Sequence, residues 1–238
     1  MIAGLTHRSF KSEIMDDLQC GGTVLDQSLK ELEIINRLLG GNSLTIDGID
    51  RLQKSIGHPG RKLTICDLGC GGGDMLKLVL SWARENNIQV ELTGIDANPN
   101  VIQYAIQNCR SEPEIKFLTL DVFSKEFNSL QFDIILSTLF FHHFDNQQLA
   151  GLFRTLSNQC RVGLVVNDLH RHWLAYYSIK VLTRIFSKSS MVRNDAPLSV
   201  QRSFIRSDIL ALMASSGIKN FQLRWKWAFR WQLLITRS

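Results

Sequence analysis

The stretch Asp67-Leu68-Gly69-Cys70-Gly71-Gly72-Gly73-Asp74 constrains the fold more than any other part of the chain. It follows Leu63-Thr64-Ile65-Cys66, an apolar run that reads as a buried strand, and precedes Met75-Leu76-Lys77-Leu78-Val79-Leu80, which opens a helix. A strand ending in an acid, a glycine-dense turn and a helix is how an open α/β sheet holds a nucleotide-like ligand at the carboxyl ends of its strands. Glycine lets the backbone approach that ligand and take dihedrals that a Cβ forbids. The spacing then narrows the ligand. A dinucleotide loop, G-x-G-x-x-G, needs its third glycine at position 74, where Asp74 stands. Asp67 and Asp74 repel phosphates and tolerate cations such as an ammonium or a sulfonium.

Strands and helices alternate after this loop. Strands are expected at Leu63–Asp67, Val90–Asp96, Ile115–Asp121, Phe132–Ser137 and Gly163–Asp168, with helices from Met75, Asn98 and Asn146. That alternation predicts a doubly wound parallel sheet. Near the carboxyl end it breaks. A helix over about 207–216, with Ser207 as its N-cap and Gly217 as its stop, precedes the runs Phe221–Trp227 and Trp231–Thr236. The three residues between those runs are too few for a parallel crossover, so the runs form an antiparallel hairpin. The expected fold is α/β, a mostly parallel seven-stranded sheet with an antiparallel C-terminal hairpin. Residues 1–60 are expected to be a helical extension: Leu29, Leu32, Ile35 and Leu38-Leu39 recur at helical spacing until Gly40-Gly41-Asn42. Residues 61–238 form the main domain, with a helical insertion at 170–204. In that insertion Leu174, Tyr177, Val181 and Ile185 share one helix face, and Lys180, Arg184 and Lys188 the other. The apolar face either turns inward over the site or forms an interfacial helix that admits an apolar substrate from a membrane.

Composition excludes several classes. At 238 residues, 45% hydrophobic and 21% charged, the chain is ordinary globular material, with no uncharged run long enough to span a membrane. Met1 to Lys11 lacks the apolar run of a signal peptide, and the five cysteines include no C-x-x-C pair. A reducing, cytoplasmic setting is expected. The net charge of +5, gathered in Arg171–Arg206 and Arg224–Arg237, reads as a solvated cationic face.

The D-x-G-x-G-x-G loop, the strand end Gly94-Ile95-Asp96-Ala97-Asn98-Pro99 and the closing hairpin resemble the class I S-adenosylmethionine (SAM) dependent methyltransferases of small-molecule, O-methyltransferase-like type. The resemblance implies SAM as cofactor, leaving as S-adenosylhomocysteine (SAH), with Asp67, Gly69, Cys70, Gly71 and Asp74 around it. Asp96, beside Ala97, would accept the ribose hydroxyls; its alternative is a cap for the next helix. Asp121 and Val122 would meet the adenine, a turn cap being the alternative for Asp121. Ser137 would lie beside the methionine portion. Arg37, in the run Ile35–Gly41, would meet the methionine carboxylate or else be solvated. Asp133 stands at the wrong end of its strand and is left out.

For the acceptor, Phe140-Phe141-His142-His143-Phe144-Asp145 follows the fourth strand. Histidine is a natural base near neutral pH, and His142 resembles in position the catalytic histidine of aromatic O-methyltransferases. His143 is the second choice, Asp168 could orient the base, and His170 or Arg171 could bind a phenolate or carboxylate. The histidines make a metal conceivable, but Ser137-Thr138 stand where metal-dependent catechol methyltransferases carry an aspartate, so none is expected. Ser137-Thr138-Leu139-Phe140 also lacks the proline motif of base-flipping enzymes, and no RNA-binding module is evident. Phe140, Phe141, Phe144, Trp173, Tyr176 and Tyr177 suggest an aromatic-lined pocket. The expected activity is methyl transfer to a small hydrophobic acceptor, aromatic, phenolic or quinone-type, with O-methylation favoured over C-methylation. The alternatives are a nucleic-acid (RNA) methyltransferase, favoured by charge alone, and a non-catalytic SAM-binding interaction protein.

Overall fold

In the computed structural model, which describes residues 5–57 and 60–237, the apolar runs pair into one seven-stranded sheet. Its strands are β1 (Leu63–Leu68), β2 (Val90–Asp96), β3 (Ile115–Thr119), β4 (Phe132–Thr138), β5 (Cys160–Leu169), β6 (Phe221–Lys226) and β7 (Arg230–Thr236), in the order β3-β2-β1-β4-β5-β7-β6. β1 to β5 are parallel; β7 runs antiparallel to both β5 and β6. The chain leaves β1 for one side of the sheet and later returns to lay β4 on its other side. A crevice therefore opens between their carboxyl ends, where such sheets bind ligands.

The strands alternate their apolar side chains between two cores. Ile65, Ile134, Leu136 and Val165 meet Ile49 and Leu52 of α2 (Gly41–Ile56), Leu76 and Val79 of α3 (Asp74–Glu85) and Ile102 of α4 (Pro99–Asn108). On the opposite face Cys66, Leu68, Ile135 and Leu164 meet Phe127 of α5 (Lys125–Asn128), Leu149 and Phe153 of α6 (Asn146–Gln159) and Leu212 of α9 (Arg206–Ser216). Each fully buried side chain of this kind stabilises the fold by about 1.5–3 kcal/mol. α1 (Gly22–Leu38) ends at Leu39 as its periodicity requires, and packs Leu25 and Leu29 on Val101 of α4.

Three expectations are corrected. β3 stops at Thr119, and Asp121 stands in the following turn, where its carboxylate accepts the Phe123 N–H at 2.9 Å. Ser207 lies inside α9; the Asp208 carboxylate accepts the N–H of the true N-cap residue, Ile205, at 3.0 Å, while Gly217 closes the helix as expected at φ +72°. The insertion folds as two helices, α7 (Trp173–Phe186) and α8 (Ser190–Arg202), packed on each other. Leu174, Tyr177, Val181 and Ile185 point outward, because the smaller face of α7 with Ala175 and Ile179 fits inward. Among the described residues no helix is long and apolar enough to cross a membrane.

Candidate active site

The glycine loop is tied to the end of β2: the N–H groups of Gly69 and Cys70 both donate to the Ile95 carbonyl, at 2.9 and 3.1 Å. Gly69 has φ +65°, and a Cβ there would stand 2.3 Å from the Phe140 ring. Gly71 has φ +51°, and its missing Cβ would meet only Leu29 Cδ2, at 3.8 Å. One glycine is required by packing; the other keeps the backbone open to a cavity of about 780 Å³. Asp67, Gly69, Cys70, Gly71, Asp74, Asp96, Ala97, Asp121 and Val122 all line that cavity.

Burial shapes the chemistry of this half. Asp67 is 2% exposed and its Oδ1 has no partner; burial, then the neighbouring Asp96 charge, push its pKa up to about 7. Burial also raises Asp96, opposed by N–H donors from Asn98 and Gly71. The cap of α4 is the Asn98 side chain, which accepts the Asn100 N–H at 2.8 Å, while Asp96 Oδ1 accepts the Asn98 N–H at 3.0 Å just before the helix. Burial likewise holds the Cys70 thiol well above its usual range and keeps it protonated. Two carboxylates in an uncharged cradle invite a cationic ligand.

His142 stands in a single 3-10 turn, Phe141–His143, reached through Leu139, whose N–H donates to the Asn167 carbonyl at 2.8 Å and whose φ of +56° is rare for a branched residue. Its Nδ1 lies 2.8 Å from Asp168 Oδ1, and its backbone N–H donates to Asp168 Oδ2 at 3.2 Å. Burial alone would raise the Asp168 pKa; the His142 charge and its hydrogen bonds hold it below the usual value. An ionised Asp168 on Nδ1 leaves Nε2 as the basic nitrogen, and Nε2 is buried in the cavity wall without a partner. Glu13 Oε1 faces Nε2 at 3.7 Å and is also unpartnered. Burial drives Glu13 up to about 7 against the His143 and Arg202 charges and the Ser199 hydroxyl.

The amino-terminal segment closes this cluster. His143 Nδ1 meets Asp16 at 2.6 Å, Arg202 Nη1 meets Asp16 Oδ2 at 2.5 Å, and Arg8 donates to the carbonyls of His142, Phe144 and Arg202. Glu13, His142 and His143 each offer a ligand atom within 4.8 Å of the others. The Arg202 guanidinium, 3.6 Å from Glu13 Oε1, already supplies positive charge there and opposes a divalent ion.

Other expected residues lie elsewhere. Arg37 is exposed and outside the cavity, while its neighbour Asn36 lines it. Ser137 is fully buried and does not line the cavity; Thr138 and Leu139 do, one and two residues farther along the chain. His170 accepts a hydrogen bond from Trp225 Nε1 at 3.1 Å and packs on Trp231, outside the cavity; burial, then the His172 and Arg171 charges, lower its pKa to about 4. Arg171 is bound to the Ser203 carbonyl and Asp208. Phe140 and Phe144 line the cavity, but Phe141 is core, and Trp173 and Tyr177 are exposed. Tyr176 is absent from the cavity wall, which Phe123, Trp227 and Phe229 join instead. Glu13, Asp16 and Arg202 were not foreseen. No local motif marks them, because they meet the histidines and each other only through contacts spanning 59 to 186 residues of sequence.

A methyltransferase-domain model matches residues 65–163, from within β1 into β5. The malonyl-[acyl-carrier protein] O-methyltransferase of Acetivibrio thermocellus is 33% identical over 86 residues; the match takes in 36% of this chain and 28% of that enzyme. Human N-acetylserotonin methyltransferase, in complex with SAM, superposes with a TM-score of 0.64 at 19% identity, over 90% of this chain and 56% of that one. The plantazolicin methyltransferase in complex with SAH superposes at 0.63 and 17%, over 90% and 95%. Magnesium protoporphyrin IX methyltransferase from Synechocystis, with bound SAM, gives 0.53 and 15%, over 84% and 80%. Residues 65–163 thus match a methyltransferase domain, and the fold is shared with SAM-dependent methyltransferases.

Proposed function

We propose that the protein methylates a hydroxyl oxygen of a small, hydrophobic acceptor of phenolic or quinone-type character, using SAM. One observation carries the choice of oxygen: His142, oriented by Asp168, lines the cavity beside the glycine loop, and its Nε2 has no hydrogen-bond partner and faces Glu13 Oε1 at 3.7 Å. When bound, SAM supplies an electrophilic methyl group on a sulfonium and leaves as the thioether SAH. Asp67, Asp96 and the open backbone at Gly71 would hold it, and Asp121 and Val122 would flank its adenine. With SAM bound, Nε2 would take the proton of the acceptor hydroxyl and Asp168 would stabilise the charged imidazole. Phe140, Phe144, Ile179, Leu182, Met191 and Phe229 give the cavity a broad apolar wall, which suits a hydrophobic acceptor.

The outer face of α7 supports a peripheral membrane contact. Tyr177, Val181, Ile185 (66% exposed) and Phe186 form an apolar row with Lys180, Arg184 and Lys188 beside it, and the helix holds no acid. Cations flanking an exposed apolar arc are the pattern of a helix lying on an anionic bilayer. The opposite side of the same helix lines the cavity through Ala175, Ile179 and Leu182.

Incubation with radiolabelled SAM and an extract of the producing cell tests the main reading. Label is expected in an organic-soluble small molecule as an O-methyl group. Label in RNA, in protein or on carbon would refute it.

A further inference from the structure

Arg230 begins β7, paired with Leu169 at the end of β5, and lines the cavity. It is 1% exposed and is the bulkiest of the fully buried side chains. Among the described residues no carboxylate forms an ion pair with it. Nη2 donates to Asn36 Oδ1 at 2.9 Å, Nη1 reaches Asn167 Oδ1 at 3.4 Å, and Nε has no acceptor. Gly41 packs so closely that a Cβ would stand 2.6 Å from Cζ, so the guanidinium is held in place. Burial lowers its pKa, but only to about 10, and it stays charged at neutral pH.

A buried charge without a counter-ion is among the most costly features a fold can carry. The nearest opposing charge is Asp168, and its oxygens already serve His142 and the Leu169 N–H. A planar guanidinium fork matches a carboxylate. The cofactor's own carboxylate is the rival occupant. The glycine loop follows β1, however, and β7 lies three strands away in the order β1-β4-β5-β7, about 14 Å at ordinary strand spacing. The backbone of Arg230 thus stands on the side of the cavity away from the glycine loop, with its guanidinium between Asn167 of β5 and Asn36 of α1.

We propose that Arg230 is the anion-binding residue of the acceptor site, and that the acceptor is a hydrophobic hydroxy acid whose carboxylate pairs with this guanidinium. The proposal rests on the methyltransferase reading and names the substrate class for it.

Calorimetry on the full chain, saturated with SAH, can compare salicylate with its neutral amide, salicylamide. The wild-type protein is expected to bind salicylate at least tenfold more tightly, and Arg230→Gln to abolish that preference while leaving SAM affinity within twofold. Arg230→Lys, which keeps the charge and loses the fork, should retain part of it. Equal binding of the two probes by wild type, or no binding of either, would overturn the proposal without any variant having to fold. A tenfold loss of SAM affinity in Arg230→Gln, with salicylate binding unchanged, would assign the guanidinium to the cofactor and overturn it too. Absence of SAM binding by wild type would instead sink the methyltransferase reading on which the proposal rests.

Discussion

Asp67 lies beside the buried, protonated thiol of Cys66 and the Asp96 charge, so burial and that charge favour its protonated form in the unliganded loop. For Asp67 the folded value of about 7 lies above the ordinary 3.8. The folded, unliganded chain then binds more protons than the unfolded one between those values, and Asp67 costs it stability as pH rises through that window. A cationic cofactor reverses the preference. SAM affinity is expected to rise about tenfold per pH unit up to about 7 and then level off, with proton release on binding below that point. Titration calorimetry in buffers of different ionisation enthalpy checks this, and a flat profile from pH 6 to 8 would rule out Asp67 as the partner. These acids stand out in the sequence because Asp67 lies two residues before the first loop glycine, Gly69, and Asp96 ends its strand beside Ala97. Glu13 does not: it is an unremarkable acid in a polar segment, and only the fold carries it to His142.

At the scale of elements, periodicity reveals that a helix has two faces without saying which way they point. The spacing of Leu174, Tyr177, Val181 and Ile185 marked an apolar face, yet α7 turns it outward and packs through Ala175 and Ile179. If that face meets a bilayer, the protein should sediment with phosphatidylcholine vesicles containing phosphatidylglycerol and much less with phosphatidylcholine alone, the difference shrinking with salt. The double variant Val181→Glu, Ile185→Glu should lose at least tenfold of that binding while retaining SAM affinity, since neither side chain lines the cavity. Failure of the wild-type protein to bind anionic vesicles at low salt would reject the contact. A concentration-dependent dimer abolished by the same substitutions would give the face to a second copy instead. The hairpin of β6 and β7 was read more securely, because a three-residue connection admits no other geometry. The early end of β3 was not legible, since an Asp-capped turn and one more strand residue look alike in sequence.

Across the whole molecule, the doubly wound sheet brings one cavity to the crevice beside β1 and β4. The cofactor half lies over β1 and β2, the His142 pair over β4 and β5, and Arg230 over β7. A mostly parallel, doubly wound sheet could be anticipated from alternation and the glycine loop; the closure of the cavity could not, because it depends on residues 5–20 folding back over His142. The central claim is that His142 is the base for an oxygen acceptor. Its most direct test is the rate of methyl transfer to the identified acceptor by wild type and His142→Gln, with SAM affinity measured alongside. The prediction is a fall in kcat of about 10²–10⁴-fold with SAM affinity unchanged within twofold. An unchanged kcat in a folded, SAM-binding variant would contradict it.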